Sequence, residues 1–427
     1  MDNLKNLRGT VDILPNQLIK WQNIENIIKL QLNRYSVQEI RTPILEMTEL
    51  FSRGIGENTD VVSKEMYTFT DRGNRSCTLR PEGTASVARA FINNGLLSQQ
   101  KLWYLGPMFR YERPQAGRQR QFHQCGVEFI GYETYRSDVE IICLAWDILQ
   151  KLGIKDLNLE LNSLGDSKDR KYHQKFFVEW LKKNYSSLDI DSQKRVEKNP
   201  MRIFDSKNKN TIKILKEAPK LIDFLSDESL NRYSKIKEQL NSLNIPFKEN
   251  LSLVRGLDYY THTAFEITSG SLGSQATVCG GGRYDNLIEL MGGKRIPAIG
   301  FAIGLERLIL LASDEYESDR SVDIYIINQG QKAETLAIDL SRRLRDLNFI
   351  TELDISCASF SKQFKKANKL KAKSIIMIGE EEAIKNEFLI RLFNENVQDN
   401  KQKTISLDNF NELEQWLNNN LKTNLQK

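Results

Sequence analysis

The sequence is poor in the residues that build several common kinds of site. It has five cysteines among 427 residues, with no C-x-x-C pair, and only three histidines. Scattered cysteines in odd number argue against a disulfide framework and a thiolate metal site, and the histidines form no H-E-x-x-H zinc helix. The P-loop string, the G-x-G-x-x-G turn and the G-x-S-x-G elbow are also absent, which disfavours nucleotide binding through those loops and a serine hydrolase.

Charge and hydrophobicity restrict the class of protein further. With 61 basic and 56 acidic residues, the net charge of +5 permits a polyanionic partner without requiring one, so any nucleic-acid surface must be local. No signal peptide is visible, and the most apolar stretch, residues 298–313, is interrupted by Glu306 and Arg307. We expect a soluble, cytoplasmic protein of two or three domains with no membrane segment.

Glycine is distributed unevenly along the chain. Residues 166–255 contain none, whereas residues 270–304 contain nine. The glycine-free stretch is rich in Lys, Glu, Leu and Ile and is typical of an inserted helical subdomain. Upstream, a long amphipathic helix beginning at Pro15 precedes an extended edge segment that contains Pro43. Short apolar runs near the carboxyl end alternate with helical patterns and predict a small α/β domain.

Residues 103–130 predict a long antiparallel hairpin whose loop is the string RPQAGR. On its second strand, period-two geometry places Gln124 and Glu128 on one face and an apolar set on the other, which indicates a lined pocket. Arg110 is suited to hold an anion with its planar fork, and the loop arginines to follow a phosphate backbone. A solvated hairpin with ordinary ion pairs is the alternative.

Two further segments carry arginine. In LVRGLDYYTHTAFEI, Arg255 and Tyr260 are five residues apart, so a regular strand cannot direct both to one site unless Gly256 permits a bulge. A sheet edge with aromatic pairs is the alternative there. In CGGGRYD and AIGFAIGLERL, the glycine triplet allows close backbone approach, and Arg307 on an apolar helix requires an acidic neighbour such as Glu306 or an anionic ligand.

These segments resemble those of a known enzyme family. FRYERPQAGRQRQFHQCGVEF is similar to motif 2 of class II aminoacyl-tRNA synthetases, GFAIGLERL to motif 3, and the first helix with the Pro43 segment to motif 1, the dimerisation element. LVRGLDYYTHT and GGGRYD resemble the two segments peculiar to histidine enzymes. The chain therefore resembles the bacterial type of the histidyl-tRNA synthetase family over essentially its whole length. The HIGH and KMSKS strings of class I synthetases are absent, which agrees.

The resemblance implies an α+β fold, with an antiparallel sheet flanked by helices, and a division of the chain into domains. Residues 1–320 would form the catalytic domain, with a helical insertion at about 166–246, and residues 321–427 a carboxyl-terminal α/β anticodon-binding domain. The implied reaction is ATP-dependent attachment of histidine to tRNA(His) through histidyl-adenylate, with release of AMP and diphosphate. The implied partners are tRNA(His), ATP, L-histidine and a second copy of the chain in a homodimer. Mg²⁺ would accompany ATP, and no tightly bound organic cofactor is expected.

The resemblance also implies roles for individual residues. Glu82, Thr84 and Gln124 would hold the α-amino group of histidine, while Glu128 and Tyr260 would recognise the imidazole through its donor and acceptor nitrogens. The remaining residues of the histidine site would be Gly83, Tyr259 and Tyr284. Arg110 and Arg255 would act catalytically at the α-phosphate of ATP and Arg307 at the γ-phosphate, helped by Glu112 and Arg118. Arg113 and Gln115 would contact the acceptor end of the tRNA.

Two other functions remain open at this point. A regulatory subunit of ATP phosphoribosyltransferase shares the catalytic-like fold and binds histidine without chemistry, but such subunits tend to lose the active-site arginines that this chain retains, and they lack the anticodon domain. An RNA-binding module without chemistry does not explain the histidine-specific segments. Residues 362–373 contain six lysines and no acid, which fits an anticodon surface and a plain solvated face equally well.

Overall fold

The structure is a computed structural model that describes most of the chain. The described residues are 4–56, 59–96, 99–198, 200–206, 208–254, 257, 259–275, 277–313, 322–392 and 402–421. The chain divides into two compact units, residues 1–318 and residues 319–427. Among the described residues, no helix has the length and apolar character needed to cross a membrane.

The first unit combines helices with strands throughout its length. In chain order, its elements are α1 (Pro15–Arg34), β1 (Gln38–Glu39), β2 (Leu45–Met47), α2 (Thr48–Ile55), β3 (Tyr67–Thr70), β4 (Ser76–Leu79), α3 (Thr84–Asn93), β5 (Gln100–Phe109), β6 (Gln121–Ile130), α4 (Tyr135–Lys151), β7 (Leu157–Ser163), α5 (Ser167–Lys183), α6 (Ile190–Lys198), α7 (Lys209–Leu215), α8 (Asp227–Ser242), β8 (Phe247–Glu249), β9 (Thr261–Ser269), β10 (Thr277–Arg283), α9 (Leu287–Leu290), β11 (Ala298–Gly304) and α10 (Leu305–Leu311).

An eight-stranded sheet forms the centre of this unit, in the order β1-β5-β6-β11-β10-β9-β7-β8. All pairs between β5 and β7 in this order are antiparallel, and only the two edge strands pair in parallel. A separate three-stranded sheet has the order β2-β4-β3. The predicted α+β class, with an antiparallel sheet flanked by helices, is confirmed.

The predicted hairpin is β5 and β6, which pair along their full length from Gln100 opposite Ile130 to Phe109 opposite Gln121. Cys125, Val127 and Phe129 on β6 belong to the main hydrophobic core, together with residues of α1 and α4. The alternating side chains face away from these helices and line a cavity. The period-two prediction for this strand is therefore confirmed.

The start of the chain contains the predicted helix and edge strand, but the prediction that Pro43 lies within that strand is wrong. Proline at the first position suits α1, because the amide that it lacks would have no partner within the helix. Ile24, Ile28 and Leu32 recur at helical spacing and are buried in the main core. The edge strand β1 ends before Pro43, which lies in the linker to β2 and in neither strand, as the missing amide of proline favours.

The glycine-free stretch supplies α5 to α8. Residues of α5 and α6 and of the segments beside them, including Phe177, Leu181 and Val196, form a small core of their own. The last helix is different, because Tyr233, Ile236 and Leu240 of α8 are buried in the main core with α4. The three-residue strand β8 then returns the chain to the edge of the large sheet, beside β7.

The second unit is a smaller α/β structure. In chain order, it contains β12 (Ile324–Asn328), α11 (Gln331–Asp346), β13 (Thr351–Leu353), α12 (Phe360–Lys369), β14 (Ser374–Ile378), α13 (Glu380–Ile384), β15 (Glu387–Leu392), β16 (Gln402–Ser406) and α14 (Phe410–Asn420). Its sheet has the order β13-β12-β14-β15-β16, with the first three strands parallel and the last two antiparallel. The predicted small α/β domain is confirmed.

Candidate active site

A cavity of about 290 Å³ opens on the face of the large sheet that carries the polar residues of β6. Its walls come from the β5–β6 hairpin, the start of α3, strands β9, β10 and β11, and the first turn of α10. The cavity brings together residues that are up to 225 positions apart in the chain. The predicted site residues that line it are Glu82, Thr84, Arg110, Glu112, Arg118, Gln124, Glu128, Tyr259, Tyr260, Tyr284 and Arg307.

Three of the described predicted residues do not line the cavity. Arg113 and Gln115 are exposed on the hairpin loop, where the backbone of Gln115 pairs with that of Arg118. Gly83 lies against the Tyr104 ring, and a Cβ at position 83 would come within 2.2 Å of that ring. Arg255 lies outside the described residues, as does the Gly256 invoked for a bulge.

Glu128 is the centre of the buried end of the cavity. Thr84 Oγ1 donates a hydrogen bond to one of its carboxylate oxygens at 2.7 Å, and the Tyr284 hydroxyl donates to the other. The side chain is only 1% exposed, and this burial raises the pKa of Glu128 to about 8, although both hydrogen bonds oppose the shift. A polar donor on a ligand would stabilise the ionised carboxylate here.

Glu82 also ends in a buried carboxylate. Its oxygens accept hydrogen bonds from the backbone amides of Thr84 at 2.6 Å and Ala85 at 2.8 Å, so it caps the amino terminus of α3. Burial raises the pKa of Glu82, while these amides favour the ionised form. The same capping arrangement fixes Thr84, whose hydroxyl reaches Glu128. Two carboxylates at one end of a cavity favour a cationic or hydrogen-bond-donating ligand.

Tyrosine rings form the wall beside Glu128. The ring centroids of Tyr259 and Tyr260 are 4.8 Å apart, and those of Tyr259 and Tyr284 are 5.6 Å apart. Successive residues on a regular strand would point to opposite faces. Tyr259 and Tyr260 both line the cavity because they precede β9, which begins at Thr261.

The glycine triplet makes room for this wall. A Cβ on Gly282 would lie 2.8 Å from the Tyr260 ring, and one on Gly281 would lie 2.5 Å from the Gly300 carbonyl oxygen. Gly280 itself lines the cavity. The sequence predicted that the backbone of the glycine triplet would approach a ligand closely. In the structure, this backbone also packs closely against a neighbouring ring and a neighbouring strand.

Arginine side chains occupy the other end of the cavity. Glu112 lies between two of them, with its carboxylate 3.9 Å from Arg110 Nη1 and 3.3 Å from Arg118 Nη1. Arg307 donates to the Thr277 carbonyl, and burial together with the charge of Arg118 lowers the pKa of Arg307. Guanidinium groups at close range favour an anion between them.

The suggested pairing of Arg307 with Glu306 does not occur. Glu306 instead accepts hydrogen bonds from the His123 backbone amide at 2.9 Å and faces His123 Nδ1 at 3.1 Å. Adjacent helical residues point about 100° apart, so their side chains serve different neighbours. Glu112 and Glu266 are the acidic groups whose charges raise the pKa of Arg307, and an anionic ligand stays a prediction.

Several cavity residues were missed from the sequence, among them Tyr104 and Glu266. Tyr104 lies between Gly83 and Gly126, and within the described part of the chain its buried hydroxyl has no hydrogen-bond partner. Gln124 Oε1 is also buried and has no hydrogen-bond partner among the described residues. Both residues line the cavity, where a ligand could supply the missing hydrogen bonds. Glu266 adds a carboxylate to the cavity. Tyr104 lies directly opposite Gly126 in the hairpin. This register is the feature of the sequence from which its place in the cavity could have been predicted.

Comparisons with known proteins identify relatives of this chain. A family model for histidyl-tRNA synthetase matches residues 9–308, and a model for an anticodon binding domain matches residues 323–415. The histidine–tRNA ligase of Prochlorococcus marinus strain AS9601 is 70% identical over 423 residues, which cover 99% of each chain. These matches confirm the resemblance found in the motifs.

Solved structures support the same relationship. The structure of apo S. aureus histidyl-tRNA synthetase is 38% identical, with a TM-score of 0.79, and the match covers 96% of this chain and 99% of that one. A protein from Bacillus halodurans, described as an ATP phosphoribosyltransferase regulatory subunit/histidyl-tRNA synthetase, is 21% identical with a TM-score of 0.65 over 88% of this chain and 98% of its own. The second likeness concerns the fold alone.

Proposed function

This chain belongs to the histidyl-tRNA synthetase family, and from that premise we propose how the residues of its cavity divide the reaction between them. The protein attaches histidine to tRNA in an ATP-dependent reaction. The observation that carries the proposal is that one cavity holds buried carboxylates at one end and arginines at the other. The α-ammonium group of histidine and the phosphates of ATP have the complementary charges.

We place histidine at the carboxylate end. Glu128 and Tyr260 would recognise the imidazole, because a neutral imidazole has one N–H donor and one acceptor and would satisfy both groups. Glu82, Thr84 and Gln124 would hold the α-amino group, and the orphaned Gln124 Oε1 supports this because an ammonium is a strong donor. Tyr259 and Tyr284 would form the rest of the site. Gly83 would contribute by leaving room for the Tyr104 ring.

We place the phosphates of ATP at the arginine end. Arg110 and Arg255 would stabilise the α-phosphate, and Arg307 the γ-phosphate, while Glu112 and Arg118 seat the nucleotide. The histidine carboxylate would attack the α-phosphorus, so that a new P–O bond forms as the bond to pyrophosphate breaks. This step needs alignment and charge neutralisation more than a protein base.

A magnesium ion would arrive with ATP. Within the described residues, no group of three or more His, Cys, Asp and Glu could hold a metal ion by itself. Mg²⁺ binds through one or two carboxylates together with substrate phosphates. Glu266 lines the cavity, and its charge raises the pKa of Arg307. The residues therefore fit such an ion, which Glu266 would hold and which would neutralise phosphate charge.

The remaining assignments concern the larger partners. We propose that Arg113 and Gln115, both exposed on the hairpin loop, contact the acceptor end of tRNA(His). Residues 1–320 would act as the catalytic domain, with the insertion at about 166–246, and residues 321–427 as the anticodon-binding domain. In α12, Lys362, Lys365 and Lys369 are exposed, and they supply a basic surface for the anticodon.

We further propose a cytoplasmic homodimer. The segment after Pro43 exposes Ile44, Leu45 and Met47 by 41–47%, and a second copy of the chain would cover these apolar side chains. Light scattering after gel filtration tests this directly, with twice the 49.4 kDa chain mass expected. A monomer at micromolar concentration would contradict it.

ATP–pyrophosphate exchange with each of the twenty amino acids, without tRNA, tests the division of the cavity. Exchange with histidine alone is the expected result. Measurable histidine binding without exchange would instead favour the regulatory-subunit function, which the family and full-length identity to histidine–tRNA ligases disfavour. Exchange with another amino acid would contradict the placement of Glu128 and Tyr260 around imidazole.

A further inference from the structure

The first turn of α5 contacts both chain segments that bring tyrosines to the cavity. Arg170 Nη1 donates a hydrogen bond to the Tyr260 backbone carbonyl at 2.7 Å. Ser167 Oγ accepts a hydrogen bond from Asn286 Nδ2 at 2.9 Å, and Asn286 lies two residues after Tyr284. Ser167 and Arg170 are three residues apart and therefore share one face of the helix. One helical turn thus holds two sides of the tyrosine wall.

This turn is itself firmly placed. Asp166 caps α5 by accepting from the amides of Lys168 at 2.7 Å and Asp169 at 2.8 Å. Directly before the cap, the Gly165 carbonyl accepts from the His262 amide at 2.7 Å. The start of α5 is consequently joined to β9. The contact from Arg170 can therefore fix the position of the Tyr260 backbone relative to the sheet.

The backbone at Tyr260 needs such a contact because the sheet ladder is irregular there. Tyr260 precedes β9, His262 has a positive φ of 46°, and the pairing register with β10 shifts between Gly282 and Arg283. Regular strand pairing begins only beyond this kink. The charge-assisted hydrogen bond from Arg170 to the Tyr260 carbonyl holds the backbone in place just before this kink.

We propose that Arg170, supported by Ser167, is a positioning residue for the histidine pocket. It keeps Tyr260 where its ring and hydroxyl meet the imidazole, while the Ser167 contact holds the segment of Tyr284. The inference rests on the proposed placement of histidine beside these tyrosines. Its consequence is that the first helix of the insertion contributes to amino-acid affinity before any tRNA is bound.

The test is ATP–pyrophosphate exchange without tRNA by the full chain carrying Arg170→Met. The KM for histidine is expected to rise roughly three- to tenfold, while kcat and the KM for ATP stay within about twofold of the parent values. Arg170→Lys keeps a cationic donor and is expected to restore most of the histidine affinity. Lys171→Met removes an equal charge from an exposed neighbouring position and is expected to change nothing.

An unchanged histidine KM in Arg170→Met, or an equal rise for ATP, would overturn the inference. Asn286→Ala removes the second contact and is expected to raise the histidine KM in the same way, which provides an independent variant should Arg170→Met fold poorly. Tyr260→Phe separates the inference from its premise. If Tyr260→Phe leaves the histidine KM unchanged, the pocket assignment fails; if it raises the KM while Arg170→Met and Asn286→Ala do not, only the positioning role fails.

Discussion

Glu128 and Gly300 are directly opposite each other on β6 and β11, and a Cβ on Gly300 would lie 1.9 Å from a Glu128 carboxylate oxygen. The carboxylate occupies the space that any side chain at position 300 would take. Its hydrogen bonds with Thr84 and Tyr284 therefore depend on a glycine in the neighbouring strand. The orientation of the central acid of the cavity is fixed partly by this missing side chain.

Gly300→Ala is expected to displace the Glu128 carboxylate and to weaken histidine binding. Overpacking at this site should raise the KM for histidine about tenfold or more in the exchange reaction. Gly270→Ala is the matched control, because a Cβ there meets nothing within 4 Å, and its histidine KM should equal that of the parent. Equal KM values for the two variants would contradict the steric role of Gly300.

Glu128 is also expected to make the stability of the free protein depend on pH. Burial raises its pKa from 4.5 to about 8, so between these values the folded state holds a proton that the unfolded state has released. The free energy of unfolding therefore falls as the pH rises through this window. Glu128→Gln removes the titration and should be the more stable protein at pH 8.5, by a few kcal/mol at most, with little difference near pH 5.

Urea unfolding of both proteins at several pH values, without ligands, measures this difference. A stability difference that stays constant from pH 5 to pH 8.5 would show that Glu128 does not titrate in the window. The same substitution tests the site, since Glu128→Gln should also raise the histidine KM. An unchanged histidine affinity would remove Glu128 from the pocket.

The architecture of the hairpin was predictable from the sequence because it depends on local rules. Alternation along β6 assigns Gln124 and Glu128 to one face without knowledge of any other strand. The fold class follows from the motifs, and the family comparison agrees with it. Such predictions hold where the periodicity of a single element decides which face a side chain occupies.

Contacts between elements were less predictable. Glu306 was one of two partners suggested for Arg307, but it pairs instead with His123 on β6, 183 residues away. Tyr104 was missed because its role depends on the small residues Gly83 and Gly126 on either side of its ring. Sequence spacing indicates which residues share a face of one element. The partner of a residue on another element depends on strand register and on tertiary packing.

Tyr104→Phe tests whether the orphaned hydroxyl serves a ligand. Within the described residues this buried oxygen has no hydrogen-bond partner of ordinary geometry, although it lies near Glu128 and lowers the pKa of that carboxyl, so its removal should change the melting temperature little. If the hydroxyl bonds histidine or a water that histidine holds, the histidine KM should rise several-fold. A lower melting temperature with an unchanged histidine KM would mark Tyr104 as structural only.

Arg255→Ala tests the chemical step. Its charge is assigned to the α-phosphate, where negative charge accumulates as pyrophosphate leaves, so its loss should reduce the exchange rate by about 100-fold or more. Equilibrium binding of histidine should remain nearly intact, because the imidazole and α-amino contacts belong to other residues. Equilibrium histidine binding and the exchange rate, both measured on the same preparation, separate the two effects. Normal turnover would remove Arg255 from the mechanism.

Arg113→Ala is the matched control for that experiment, because it removes a guanidinium that is exposed on the hairpin loop and outside the cavity. Exchange without tRNA should proceed at the parent rate, since no phosphate of ATP depends on this charge. Aminoacylation should instead show a raised KM for tRNA(His), because a phosphate contact contributes affinity that falls as salt increases. If Arg113→Ala slows exchange as strongly as Arg255→Ala, the loop arginine acts on ATP and its assignment to the acceptor end is wrong.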